Sequence, residues 1–155
     1  MIFHKKLKYI ETTIRKASLL DVDEIFRIEN ICFKEEAFSK HLIIELLLSY
    51  PEFFLVAEHK GKILGYISAT LENDHCHIYS IAVLPEFRNK GIATNLMKEL
   101  LNKAKEKGIK KVVLEVKTNN LEAIKLYKKF NFEIKGIKSK YYPDGTDAYV
   151  MELKL

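Results

Sequence analysis

One short segment of the sequence has the composition of a phosphate-binding turn. It spans Arg88–Ala93 and lies between an apolar stretch and the start of an amphipathic helical pattern. Gly91 and Ala93 leave room for a ligand close to the backbone, and the unpaired N–H groups at a helix start attract a pyrophosphate. Arg88 and Lys90 add positive charge. The segment lacks the P-loop lysine arrangement and the three glycines of the dinucleotide fingerprint, and an ordinary turn with surface cations remains the alternative interpretation.

Three other side chains are of types that move protons. Glu115 lies in an alternating strand pattern, His77 ends a His-Cys-His triplet, and Tyr127 lies in a helical pattern. A carboxylate or a neutral imidazole accepts a proton, and a phenol donates one. The structural alternatives are an exposed strand residue for Glu115 and a core aromatic for Tyr127. The triplet has no second ligand pair at structural-zinc spacing elsewhere, so we expect no metal site.

The spacing of apolar residues predicts elements in the order β-α-α-β-β-β-α-β-α-β-β. The predicted strands are Thr13–Lys16, Phe53–Glu58, Ile63–Leu71, Cys76–Val83, Lys111–Lys117, Phe132–Lys140 and Ala148–Lys154. A turn at Lys60 and Gly61 is predicted to join the second and third strands as a hairpin. The predicted helices run from an Asp21 cap to Phe33, from a Ser39 cap to Ser49, over Ile92–Lys107 before a capping Gly108, and over Asn120–Phe130. This order predicts an α/β fold with a mixed sheet and helices on both faces. A parallel crossover between Cys76 and Val116 places ligands at the turn after Val83.

Length and composition indicate one globular domain. The chain has 155 residues, of which 48% are hydrophobic and 30% charged, so a packed core with a solvated surface is expected. The net charge of +5 is spread along helix faces, which predicts no specific nucleic-acid partner. The apolar stretch Leu42–Leu48 is too short to span a bilayer, and Cys32 and Cys76 are interpreted as free thiols. We therefore expect a cytoplasmic protein that does not bind membranes.

Several separated motifs resemble the GNAT acetyltransferase superfamily. Its acetyl-CoA signature of Gln or Arg, two residues, Gly, one residue, then Gly or Ala is met by Arg88, Gly91 and Ala93. Further segments resemble the RimI-type and NatA catalytic subunit-type protein N-terminal acetyltransferases, namely Leu114–Asn120, Ala123–Tyr127, Phe130–Glu133 and Tyr141–Met151. The resemblance covers about Thr13 to Leu153. It implies a GNAT-like domain over residues 13–155, preceded by an N-terminal extension over residues 1–12.

The resemblance implies that acetyl-CoA is the cosubstrate, and the spacing of the possible ligands predicts no metal. Backbone groups of Ile81 and Val83 are then expected to pair with pantetheine and to polarise the thioester. The full set of expected coenzyme contacts is Ile81, Ala82, Val83, Arg88, Asn89, Lys90, Gly91, Ile92, Ala93, Thr94, Asn120 and Tyr127. Asn120 is also a natural helix N-cap.

The resemblance also implies roles at the acceptor amine. Glu115 matches the RimI-type base, acting through water, His77 is an alternative base, and Tyr127 matches the acid that protonates the thiolate. The residues expected to flank the amine are Phe33, Glu36, Tyr141 and Tyr142. An α-amine of pKa about 7.7 to 8.0 needs less help from a base than a lysine amine near 10.4.

The resemblance favours acetylation of protein or peptide N-termini by direct attack of the amine on the thioester. A GNAT enzyme acting on lysine or a small amine is the alternative. A noncatalytic acetyl-CoA-binding module or a ribosome-associated partner would use the same turn without Tyr127, and ribosome association stays open.

Overall fold

The computed structural model describes residues 9–155, so residues 1–8 of the predicted extension lie outside the described part. The strands are β1 (Thr13–Lys16), β2 (Phe54–His59), β3 (Lys62–Glu72), β4 (His75–Val83), β5 (Lys111–Lys117), β6 (Glu133–Lys138) and β7 (Ala148–Lys154). The helices are α1 (Val22–Phe33), α2 (Lys40–Ser49), α3 (Ile92–Glu106) and α4 (Leu121–Lys129). The predicted order of elements is confirmed. None of the helices between Tyr9 and Leu155 combines the length and apolar character needed to cross a membrane.

The seven strands form one mixed sheet in the order β1-β2-β3-β4-β5-β7-β6. β1 with β2, β2 with β3, β5 with β7, and β6 with β7 are antiparallel pairs. β4 and β5 are parallel, with His75, Cys76 and His77 opposite Lys111, Val112 and Val113. The predicted mixed sheet and the parallel strand-helix-strand step are therefore confirmed. Parallel neighbours need a long crossover, and α3 supplies it.

The chain divides into two compact units. The first comprises the described residues up to Ser68 together with Ser80–Lys103, and the second comprises Ala69–Tyr79 and Ala104–Leu155. In the first unit, α1 buries Val22, Ile25 and Ile28, which lie three residues apart and so share one helix face. They join a core that includes Phe54 and Val56 of β2.

The cap of α2 follows the prediction, whereas that of α1 does not. The Ser39 hydroxyl accepts the Leu42 N–H at 3.1 Å, as an N-cap serine should. Asp21 stands at the N-cap position of α1, but its side chain makes no capping bond to that helix. Its carboxylate instead accepts the Ser18 N–H and pairs with Arg15, each at 2.8 Å. The predicted cap is wrong because a charged guanidinium and the preceding turn use the same carboxylate.

The hairpin of β2 and β3 turns at the predicted dipeptide. Lys60 has φ 50° and Gly61 has φ 79°, and two successive positive φ angles give the turn whose twist matches antiparallel strands. The register shifts between Ala57 and Glu58, which marks a β-bulge in the pair.

In the second unit, β5 alternates between buried Val112, Leu114 and Val116 and half-buried residues such as Glu115. The predicted strand Phe132–Lys140 is too long at both ends. The predicted strand from Phe132 begins only at Glu133, because the Phe132 N–H bonds to the carbonyl of Tyr127 at 3.1 Å and so closes the end of α4. That strand ends at Lys138 and not at Lys140, whose φ of 49° is not an extended conformation.

One carboxylate lies inside the first unit. Glu29 of α1 is 1% exposed, its Oε2 accepts the Phe38 N–H at 2.9 Å, and its Oε1 accepts the Ser80 hydroxyl at 3.3 Å. The Ser80 hydroxyl also lies 3.2 Å from the hydroxyl of Tyr66. Burial raises the pKa of Glu29 from 4.5 to about 7, and the two hydrogen bonds only partly oppose that rise.

Replacing Glu29 with Gln is expected to increase the free energy of unfolding at alkaline pH. The amide keeps the side-chain volume and avoids burying a charge. Because the folded pKa of about 7 lies above the ordinary 4.5, the wild type is destabilised as pH rises through that window. At 1.36 kcal/mol per pKa unit, the advantage of the variant at about pH 8 is up to about 3 kcal/mol. Urea unfolding of both proteins from about pH 5 to pH 8 measures it, and a difference independent of pH would contradict the assignment.

Candidate active site

The predicted phosphate turn lies between β4 and α3, within the first unit. After the short 3-10 turn Pro85–Phe87, Asn89 has φ 61° and Gly91 has φ 86°. Asparagine and glycine are the residues that adopt such angles most readily. The reversal ends at Ile92, where α3 begins, and the Gly91 carbonyl accepts the Asn95 N–H at 3.0 Å. The first N–H groups of a helix have no partners within it, so this end of α3 suits an anion.

The side chain of Arg88 is bonded within the turn. Its Nε donates to the Val83 carbonyl at 2.9 Å, and its Nη2 lies 3.4 Å from the Cys32 sulfur. The guanidinium therefore ties the turn to the end of β4, a role that the sequence did not indicate. Burial raises the pKa of the Cys32 thiol, while Arg88 opposes that rise.

The described end of the N-terminal segment also contacts the turn. The Ile10 N–H donates to the Lys90 carbonyl at 3.3 Å. A Cβ atom on Gly91 would lie 2.7 Å from Cδ1 of Tyr9, whose side chain is otherwise 77% exposed. Sequence reasoning missed this contact because Tyr9 precedes the resemblance and belongs to no periodic pattern.

The other expected coenzyme residues fall in both units. Ala82, Val83 and Ile92 are buried, whereas Ile81, Ala93 and Thr94 are half-buried in the first unit. Asn120 lies in the second unit and caps α4, where its Oδ1 accepts the Ala123 N–H at 3.2 Å. The structure therefore shows its capping role, and a coenzyme contact remains a proposal.

His77 and Glu115 are brought together in the second unit. Nε2 of His77 lies 2.7 Å from Oε1 of Glu115, and Nδ1 lies 3.1 Å from Oε2 of Glu72. Because each ring nitrogen faces a carboxylate, the doubly protonated imidazolium satisfies both acceptors. The hydrogen bond to Glu115 and the neighbouring Glu72 raise the pKa of His77 above 6.5, although burial opposes them.

Glu115 is held in its charged form. Burial alone would raise its pKa, but hydrogen bonds from His77 and Lys138 outweigh burial and lower the pKa below 4.5. Nζ of Lys138 donates to Oε2 of Glu115 at 3.1 Å. Lys138 and Glu72 were not expected at the site, since neither lies near Glu115 in sequence. The cluster can hold a proton on His77 and keep a negative charge on Glu115.

The second unit contains three tyrosines that were predicted as site residues: one buried in the unit and two that are neighbours in sequence. Tyr127 is 6% exposed, and its ring centroid lies 5.9 Å from that of Phe132. Burial raises the pKa of Tyr127 well above 10. Tyr141 and Tyr142 are edge to face with centroids 5.0 Å apart, and Nζ of Lys138 lies 5.2 Å from the centroid of Tyr141.

The remaining acceptor candidates belong to the first unit. Phe33 ends α1 and packs against the core of that unit, and Glu36 ends the 3-10 turn Lys34–Glu36. Within residues 9–155, no group of three or more histidine, cysteine, aspartate or glutamate side chains is arranged to hold a metal ion.

A comparison with known protein families gives a match that is consistent with the predicted phosphate turn and with the mixed sheet. The family described as the Acetyltransferase (GNAT) family matches residues 21–132. This chain belongs to the GNAT acetyltransferase family. Its fold is accordingly that of a GNAT acetyltransferase, and it is an N-acetyltransferase.

Individual GNAT relatives are similar over nearly the whole chain. An N-alpha-acetyltransferase of Sulfolobus acidocaldarius is 36% identical, with 97% of this chain and 95% of the relative covered. A putative ribosomal protein bS18-alanine N-acetyltransferase of Bacillus subtilis is 32% identical, with 91% and 94% covered. The crystal structure of Ard1 from Thermoplasma volcanium is similar to this chain with a TM-score of 0.90. The two sequences are 33% identical, and the comparison covers 94% of this chain and 99% of that one.

Replacing Gly91 with Ala is expected to weaken acetyl-CoA binding about 10-fold or more. The new Cβ would be strained at φ 86° and would meet the Tyr9 ring at 2.7 Å, so the exposed ring or the turn must shift. Titration calorimetry with acetyl-CoA measures the change. Gly61→Ala is the matched control, because its φ is 79° and a Cβ there meets no atom of the described residues 9–155 within 4 Å. Unchanged affinity in Gly91→Ala would mean that the turn does not bind the coenzyme.

Proposed function

We propose that this GNAT enzyme transfers the acetyl group of acetyl-CoA to the N-terminal α-amine of proteins or peptides. The observation that carries the proposal is the hydrogen-bonded pair of His77 and Glu115, at 2.7 Å. An amine of pKa about 7.7 to 8.0 is already partly neutral near pH 7, so a weakly basic cluster is enough to collect its proton. The name of the Sulfolobus relative, an N-alpha-acetyltransferase, supports this acceptor class.

The coenzyme is proposed to bind along the end of β4 and at the start of α3. The pyrophosphate would accept hydrogen bonds from the backbone N–H groups of Gly91–Thr94. Asn89 and Lys90 would make further contacts with it. Backbone groups of Ile81 and Val83 are proposed to pair with pantetheine, so that an amide there polarises the thioester carbonyl. Asn120 and Tyr127 complete the proposed set.

The neutral amine attacks the thioester carbon directly in this proposal. A new C–N bond forms, the C–S bond breaks, and the amine proton leaves through water toward His77 and Glu115. Glu115 is a weak base because its pKa is lowered, so its main task is to hold His77. His77 can take the proton only after losing one of its own.

Tyr127 is proposed to protonate the departing thiolate. Burial raises its pKa, so the phenol keeps its proton across the physiological range. The thiolate, whose ordinary pKa is about 8.5, accepts this proton as the C–S bond breaks. Because a phenolate of raised pKa is the stronger base of the two, the proton released by the amine then returns to Tyr127.

The acceptor is proposed to lie beside Tyr141 and Tyr142, with Phe33 and Glu36 as further contacts. The bS18-alanine name of the Bacillus relative makes the N-terminus of a ribosomal protein one acceptor to test. Acetylation of a lysine side chain or a small amine is the alternative, because the same coenzyme turn serves either acceptor.

Replacing Glu115 with Gln is expected to move the rising limb of the kcat/KM–pH profile to lower pH. Loss of the carboxylate removes the largest cause that raises the pKa of His77. The maximal rate should also fall about 10-fold, because the imidazole loses its closest partner. The profile is measured with a free α-amine peptide, and the His77 titration is followed by NMR. Glu72→Gln is the control and should shift the limb less, since its contact is 3.1 Å. An unshifted limb in Glu115→Gln would remove His77 from the proton path.

Peptides with free N-termini are expected to be acetylated at least about 10-fold faster than N-terminally blocked peptides that contain lysine. The reason is the larger neutral fraction of the α-amine at pH 7. A library varied at its first two residues, with the acetyl group mapped by mass spectrometry, measures the ratio. Faster transfer to lysine or to free polyamines would contradict the N-terminal acceptor and favour the alternative.

A further inference from the structure

Glu29 is a buried titratable group for which the proposed reaction has no use. It is 1% exposed, and both of its carboxylate oxygens accept hydrogen bonds from uncharged donors. A buried carboxylate without a cation is costly, and an apolar side chain of similar volume would serve the core better. A position that keeps such a group in the core has a task other than stability.

The donors to the Glu29 carboxylate indicate the role of this residue. Its shorter bond, 2.9 Å, is to the N–H of Phe38, the last residue of the α1–α2 connection, which we define as Phe33–Phe38. Ser39 follows at once and caps α2. Glu29 therefore fixes the connection at the point where it enters α2.

The connection needs such a restraint because its backbone is strained. Lys34 has φ 49° and ψ −116°, a combination that a residue with a Cβ rarely adopts. Strained residues persist only where the surrounding structure holds them. The Ala37 N–H bonds to the Lys34 carbonyl at 3.0 Å, and Glu29 then holds the next N–H.

The other oxygen of Glu29 contacts β4. Its bond to the Ser80 hydroxyl is 3.3 Å, and Ser80 lies 3.2 Å from the hydroxyl of Tyr66 on β3. The carboxylate thus joins the α1–α2 connection to the strand residue that precedes Ile81. Both hydroxyls are buried, which makes the anchor rigid.

We propose that Glu29 is a positioning residue for the acceptor, holding the α1–α2 connection through the Phe38 N–H and anchored on Ser80. The proposal rests on the proposed function only in taking this connection to flank the acceptor amine. Loss of the anchor frees the connection to sample other conformations, so acceptor binding weakens while coenzyme binding is kept.

Glu29→Leu removes the anchor and keeps an apolar core. We expect KM for the acceptor to rise about 10-fold or more, kcat to change less than about 3-fold, and the acetyl-CoA dissociation constant to change less than about 2-fold. The assay uses whichever acceptor wild type acetylates best, so its outcome does not depend on that acceptor being an α-amine. Equal losses in acceptor and coenzyme binding, or an unchanged acceptor KM, would overturn the proposal.

Two further variants separate positioning from packing. In Glu29→Gln the carbonyl accepts the Phe38 N–H and the amide donates to Ser80, so the acceptor KM should return to within about 3-fold of wild type. Ser80→Ala cuts only the longer bond and should raise the acceptor KM less than Glu29→Leu does. A Gln variant as impaired as the Leu variant would also overturn the proposal.

Amide exchange tests the anchor even if Glu29→Leu fails to fold. In wild type, the Phe38 amide should exchange at least about 10-fold more slowly than the amides of Glu35 and Glu36. Where the Leu variant folds, this protection should be lost within the connection. Exchange of Phe38 as fast as its neighbours in wild type would show that the carboxylate does not hold the connection.

Discussion

The alternation of side chains along β4 is the constraint on which the arrangement of functional groups depends. Cys76, Ile78, Ser80 and Ala82 are buried, and the residues between them as far as Ile81 are more exposed. A shift of one residue would exchange the two sets. It would bury the His77 ring in place of the Cys76 thiol and take Ser80 away from Glu29. The apolar residues of β4 therefore determine which of its polar groups can act.

The cluster around His77 illustrates how neighbours decide the protonation of a site. Two carboxylates face the two nitrogens of one imidazole, so a proton on His77 and a charge on Glu115 stabilise each other. Lys138 adds a second cation to the same carboxylate. The resemblance to RimI-type enzymes implies that Glu115 is the base, but a carboxylate with a lowered pKa suits an ion-pair partner better. The roles of Glu115 and His77 therefore differ from the expectation, but the same two residues are proposed for the proton path.

Local patterns predicted most elements because their signals are short in sequence. The Lys60-Gly61 turn, the Ser39 cap, the Gly108 end of α3 and the alternating β5 each depend on a few neighbouring residues. Three errors and omissions depend on partners that the local patterns do not contain. Arg15 takes the Asp21 carboxylate, Tyr9 contacts Gly91 about eighty residues away, and Ser80 lies fifty-one residues beyond Glu29.

Half-buried Glu115 and buried Glu29 are residues of the same type, but their neighbours give them different roles. Glu115 has a histidine and a lysine within 3.1 Å, and its pKa is lowered despite burial. Within residues 9–155, the partners of the Glu29 carboxylate are a backbone N–H and a hydroxyl, so burial prevails and its pKa rises to about 7. A carboxylate paired with cations keeps its charge and can organise a proton path. A carboxylate paired with neutral donors gives up solvation for hydrogen-bond geometry, as Glu29 does with the Phe38 N–H and the Ser80 hydroxyl.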